Sequence, residues 1–277
     1  MMTSNEVLKE YAAKNPDRWD LALRIDDSSV GYTLNTVYED YSLFSETVTL
    51  DSTGDSPLKR LENTVYDTPV ILNDYKSVSV IVDSDKFVIV PEEFSDEDTA
   101  ENCFRNSFPD FDGDILVSKI SGCGASVVSG VEKGLEAFLQ RTWYNVTVSH
   151  TLVPLAGFFK RRSQLGNVAK MYVTVVGSRY YIIVFNRKGL IFANSYRITN
   201  INDAAYFILG VWKMCGLDFE ADELMMSGDI RQRQDLMELL RNYIAVVMPS
   251  IFPAQLVKYN RDAMNLPFDL ILLSLCE

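Results

Sequence analysis

Histidine is nearly absent: 277 residues contain one, His150. A metal centre built on several imidazoles is excluded, and a Ser-His-Asp or Cys-His pair would have to be assembled around that single ring. The surrounding segment reads as a strand over 146–151 with His150 at its end, where a hydrogen-bonded structural histidine is favoured over a catalytic base. Four cysteines, Cys103, Cys123, Cys215 and Cys276, are spaced too widely for C-x-x-C zinc or redox chemistry and read as buried thiols packed as small hydrophobes. Positive charge is also scarce. With 26 Lys and Arg against 38 Asp and Glu, the formal charge of −12 repels a phosphate backbone, so nucleic acid is not an expected partner. The one basic cluster, Lys160-Arg161-Arg162, falls where a helix would end and suits the negative pole of that helix. No apolar run reaches the length of a bilayer span and residues 1–9 lack the core of a signal peptide, so a cytoplasmic protein is expected.

What is abundant is apolar surface, at 47% of residues, on a chain long enough to form two cores. The densest region is 170–197. It reads as three strands, 171–176, 180–185 and 190–196, separated by turns at Gly177-Ser178-Arg179 and Asn186-Arg187-Lys188-Gly189. Near-continuous β-branched and aromatic runs indicate an antiparallel meander covered on both faces. A helix follows over 202–216, with Ala204, Ala205, Phe207, Ile208, Val211, Trp212 and Cys215 at helical spacing, then a strand over 223–226. The N-terminal half opens the same way after a short polar helix: strands over 20–25, 30–35 and 41–50, with Asp26-Asp27-Ser28-Ser29 as the first turn. Placing 21–34 beside 172–185 matches strand, turn and strand without a gap, which predicts a repeated unit.

Between the two meanders lie a helix from Pro57 and strands over 77–82 and 86–90, read as a hairpin around Asp83-Ser84-Asp85. The acidic run 92–98 reads as a helix start with Ser95 as its N-cap. Asp110, Asp112 and Asp114 resemble the opening of a calcium loop, but the Glu that would close it is missing. A hairpin over 115–131, a helix over 132–143, the His150 strand and a further helix complete this half. A second-half helix over 233–246 and an apolar tail over 267–276 end the chain.

Two successive units that each open with a three-stranded meander resemble the actin-like ATPase fold, in which two ribonuclease-H-like lobes enclose a nucleotide cleft. The strand 86–91 and the segment His150-Thr151-Leu152-Val153-Pro154-Leu155-Ala156 look closest to the pilus-assembly type of that fold. Taken whole, the chain is similar to an uncharacterised bacterial family assigned to it. The fold class expected is α+β (α/β), with a first lobe over 1–165 carrying inserted hairpins and a second over 166–277.

The resemblance implies that the first turn of each meander is a phosphate loop, with a carboxylate to hold the water shell of magnesium and glycines that let backbone N–H groups approach. Here Asp26-Asp27-Ser28-Ser29 keeps a carboxylate without glycine, and Gly177-Ser178 keeps a glycine without a carboxylate. Met226-Ser227-Gly228-Asp229 keeps one of the two glycines expected beside an adenosine. Asp26, Ser28, Gly177, Ser178 and Gly228 are therefore the candidate residues of a residual nucleotide cleft, against the reading that all three are ordinary turns. Arg179 beside them is either solvated or a substitute for a cation near phosphate. The reading that follows is a degenerate, non-catalytic actin-like protein that binds or scaffolds a protein partner, with no metal or catalytic residue assigned. Its rivals are an active ATPase or small-molecule kinase that uses ATP and magnesium, and a subunit that self-associates into a homo-oligomer.

Overall fold

The computed structural model describes residues 4–38, 42–51, 55–164, 166–260 and 263–274. In chain order the first unit contains α1 (Ser4–Lys14), β1 (Asp20–Ile25), β2 (Ser29–Asn35), β3 (Phe44–Thr49), α2 (Pro57–Tyr66) and β4 (Ser77–Val82). An insertion follows, with β5 (Phe87–Pro91), α3 (Glu97–Ser107), β6 (Asp114–Ile120), β7 (Ala125–Val131) and α4 (Leu135–Thr142), before β8 (Thr147–His150) and α5 (Leu152–Ser163). The second unit has β9 (Lys170–Val176), β10 (Arg179–Asn186), β11 (Gly189–Arg197), α6 (Ile201–Met214), β12 (Glu223–Gly228), α7 (Ile230–Leu240) and β13 (Val246–Pro249). The last described helices are α8 (Ala254–Tyr259) and α9 (Phe268–Leu273).

The two five-stranded sheets have one topology, β3-β2-β1-β4-β8 and β11-β10-β9-β12-β13. In each, an antiparallel meander is extended by two strands parallel to its first strand. The repeat is real, but the sequence pairing is displaced by one residue. Ile25 lies opposite Val30 and Val82, and Val175 lies opposite Tyr180 and Gly228, so Leu21 matches Met171 rather than Tyr172. Because side chains alternate, a one-residue slip would exchange the faces of every strand. The observed register places Leu21, Leu23 and Ile25 in one core, as it does Met171, Val173 and Val175 in the other.

Each sheet buries one face beneath its own helices. The opposite face of the second sheet packs against α5 and α9, with Phe159 stacked on Tyr172 at 4.2 Å between ring centroids. The apolar tail thus becomes a helix that also covers Ala22 and Ile81 of the first sheet. Residues 275 and 276 of the expected tail, with Cys276, and residue 41 of the expected third strand, lie outside the described residues.

Several local expectations change. Residues 77–82 and 86–90 do not pair as a hairpin: β4 already has parallel neighbours on both sides, β1 and β8, and the chain crosses at Asp83 into the separate β5-β7-β6 sheet. Helix α3 is capped by Asp96, which accepts from the Thr99 N–H at 3.1 Å, and Ser95 remains outside it. On α6, Ala204, Ile208, Val211 and Trp212 form the buried face, and Phe207 turns to the rim, 39% exposed and stacked on Tyr196. Ile208 lies at the centre of that stripe, and Phe207 is rotated by about 100° from it, beyond the stripe's edge.

Trp212 is fully buried. Trp212→Ala is expected to destabilise the fold by about 3–5 kcal/mol, and Phe207→Ala by no more than about 1 kcal/mol, its ring being partly in water already. Denaturant midpoints of the two variants check this, and equal losses would show that the helix face is misassigned.

Candidate functional site

In open α/β sheets ligands bind beyond the carboxyl ends of the parallel strands, because the strand ends and helix N-termini leave polar groups unpaired there. In this molecule those ends carry Asp26 after β1, Asp83 after β4, the Gly177 turn after β9 and Asp229 after β12. The two lobes face each other across this line.

The charges along it are engaged with one another. Asp83 of the first lobe receives Arg179 Nε at 2.8 Å and the Tyr181 hydroxyl, both from β10 of the second lobe. The ion-paired side chains are 5% and 10% exposed, so removing one partner would strand the other charge away from water, at a cost of about 3–5 kcal/mol. Burial raises the Asp83 carboxyl above the ordinary aspartate range, and Asp269 and Asp26 nearby add to this, against the lowering by Arg179 and Tyr181. Arg197 reaches Asp27 at 2.8 Å across the same gap, but both groups are half exposed or more, and such a pair contributes at most about 1 kcal/mol. Arg24 spans 3.2 Å to the fully buried Asp269 of α9 and approaches Asp26 at 3.7 Å. Burial opposes ionisation of Asp26, but bonds from the N–H and hydroxyl groups of Ser29 and Ser28, with Arg24, hold its carboxyl below the usual range.

The structure does not gather the five candidate residues into one cavity. Gly177 and Gly228 line a space of about 430 Å³ with Arg24, Asp229, Arg231 and the 264–268 segment. Asp26 lines a different, smaller space with Asp27, Asp83 and Asp85, and Ser28 and Ser178 are exposed at the tips of their turns. Arg179 is neither solvated nor in a turn; it begins β10 and is buried against Asp83. Gly228 has a packing reason of its own. At φ +90° a Cβ would lie 1.9 Å from the Val175 carbonyl oxygen, so close strand approach alone demands glycine there. Gly177, at φ +57°, has nothing within 4 Å of the corresponding position. Among the described residues no group of three or more His, Cys, Asp or Glu is arranged to hold a metal ion, and no helix is long and apolar enough to cross a membrane.

Residues 9–247 match the model of the family described as a protein of unknown function, DUF3822. The chain belongs to this family. A Bacteroides thetaiotaomicron protein of actin-like ATPase fold and unknown function superposes with a TM-score of 0.79 at 23% identity, covering 96% of this chain and 98% of that one. A chain of the PilM–PilN type IV pilus biogenesis complex gives 0.57 at 9% identity, covering 92% and 97%. No curated protein matches the sequence. The fold is therefore that of the actin-like ATPases.

Sequence reasoning missed Asp83, Asp269, Arg24 and Arg197. Two signals were present: Val82-Asp83 repeats the apolar-then-Asp ending of Ile25-Asp26, and Arg24 and Asp269 are lone charges within apolar runs. Arg197 carries no comparable signal.

His150, at the end of β8, is bonded to the turn that carries Asp83. Its Nε2 is 2.9 Å from the Ser84 carbonyl oxygen and its Nδ1 accepts the Leu152 N–H at 3.1 Å, which assigns the neutral Nε2–H tautomer. Complete burial pushes its pKa down to about 4. A base that is harder to protonate when folded makes the unfolded chain bind more protons between that value and about 6.5, so stability present at neutral pH is lost as pH falls through this window. The wild-type protein should lose about 2 kcal/mol between pH 7 and pH 5 from this residue. Denaturant titrations at both pH values test it: the loss is expected to shrink by that amount in His150→Gln. Gly228→Ala should destabilise by about 3 kcal/mol or more through its backbone clash, and Gly177→Ala by only about 1–2 kcal/mol, as read by the same titration at neutral pH.

Proposed function

We propose that this protein is a non-catalytic, cytoplasmic actin-like protein that acts as a binding or scaffold module for a protein partner. The observation that carries this reading is the buried Arg179–Asp83–Tyr181 bridge, which joins the lobes at the carboxyl ends of the central strands. Phosphoryl transfer needs carboxylates free to hold magnesium and a water aligned on the terminal phosphate. Asp83 is instead held by two side chains of the opposite lobe, and Asp26 by the four donors of its own turn. These residues do not fit a magnesium–nucleotide complex. A glycine remains at Gly177, but the first turn has none, so backbone N–H groups are not presented from both sides. That a protein of this fold occurs in the PilM–PilN complex supports a role for the fold in docking another protein.

The expected result is no magnesium-dependent ATP turnover above the solvent blank and no shift in thermal midpoint with millimolar ATP, because stabilisation by a ligand grows only once its concentration exceeds Kd. Steady hydrolysis that disappears in Asp26→Ala would reject this reading and place the protein among active ATPases.

A further inference from the structure

Away from the interlobe cleft, a cavity of about 740 Å³ opens between the first sheet, the turn that joins β6 and β7, and α5. Its floor is made of hydroxyls. Ser77 and Ser79 of β4 stand on the same face as Thr147 and Ser149 of β8, since Ser79 lies opposite Thr147 and Ile81 opposite Ser149. This face is apolar where α9 covers it, at Ala22 and Ile81, and changes to hydroxyls where that cover ends.

Lys119, Lys160 and Arg161 rim the cavity and no Asp or Glu lines it, on a chain whose formal charge is −12. Lys119 makes one exposed approach to Glu92, at 3.6 Å. Among the described residues neither Lys160 nor Arg161 forms an ion pair. Favourable interaction with the end of α5 accounts for basic residues at this level of the helix, but not for their lining a cavity floored with hydroxyls, of which Ser77 donates to Asp20 at 2.6 Å. Gly157 adds an independent sign. It sits inside α5, where glycine is unfavourable, yet a Cβ there would meet nothing within 4 Å. No neighbouring group requires glycine at this position, and it lines the cavity.

We propose that this cavity binds a small organic phosphate, with the phosphate held by Lys160 and Arg161, Lys119 across the mouth, and a hydroxyl-bearing body on the Ser and Thr floor. Arginine and lysine supply a fork and a point charge suited to phosphate oxygens. Hydroxyls both donate and accept, so they match the hydroxyls of a sugar, and the volume is that of a small-molecule site. The proposal does not depend on whether the interlobe cleft takes a nucleotide.

The test is calorimetric titration of the full chain with a panel of sugar mono- and bisphosphates that includes fructose 1,6-bisphosphate, with fructose as the neutral control. At least one phosphate is expected to bind while fructose does not. The double variant Lys160→Glu/Arg161→Glu should weaken that binding at least tenfold. The double variant Lys133→Glu/Lys213→Glu, at two exposed positions that do not line the cavity, carries the same change of net charge and should not weaken it. Gly157→Phe, with helix content checked by circular dichroism, should block the site by volume alone. Failure of every phosphate to bind the wild-type protein would overturn the proposal, as would equal weakening in the two charge-reversed variants.

Discussion

A guanidinium removed from water is tolerated only beside a carboxylate, and in this molecule the two come from different lobes. Arg179 begins a central strand of the second sheet and Asp83 follows a central strand of the first, and they meet at 2.8 Å with Tyr181 as a third member. Neither charge has an alternative partner of comparable burial, so the bridge specifies one relative placement of the lobes, whatever its net contribution to stability. The carboxyl ends of both sheets are consequently held close together. Arg24, placed between Asp26 and Asp269, extends the network to α9, which ties the end of the chain to the first sheet as well.

The apolar counterpart of this bridge is the cluster built on α5 and α9. Phe158, Phe159, Tyr172 and Phe268 pack edge-on and stacked where α5 and α9 meet the second sheet. Burial of that aromatic surface supplies the non-directional attraction between the lobes, and the charged network supplies the directional part. The two sheets are therefore linked through α9, which packs against the second in one cluster and against the first in another. A cleft with such contacts across it is a different environment for a polyanion from an open groove lined by free amides.

The meanders, the helices that cover them and the duplication were legible because they rest on local rules. Alternation and turn chemistry define a strand and its end, and the same rules acting twice yield two similar units. The register of the repeat was not legible to better than one residue, because apolar runs such as 171–176 and 180–185 carry little alternation to distinguish their faces. Phe207 failed for a related reason: apolar character at roughly helical spacing does not distinguish the centre of a buried stripe from its edge. The 77–90 segment failed because a short polar turn looks the same whether the chain returns along its own strand or crosses to another sheet. Only the presence of β1 and β8 on either side of β4 decides this.

By itself the sequence determined the class of fold and its two-part organisation, since these follow from composition and short-range pattern. It also placed His150 at a strand end with structural bonds, and the ring bonds there to Ser84 and Leu152. The partners of Asp83, the burial of Arg179 and the separation of Asp26 from Gly177 and Gly228 were decided by tertiary structure alone. Each depends on groups about a hundred or more residues apart, and no local propensity records which distant side chain will fill a desolvated position.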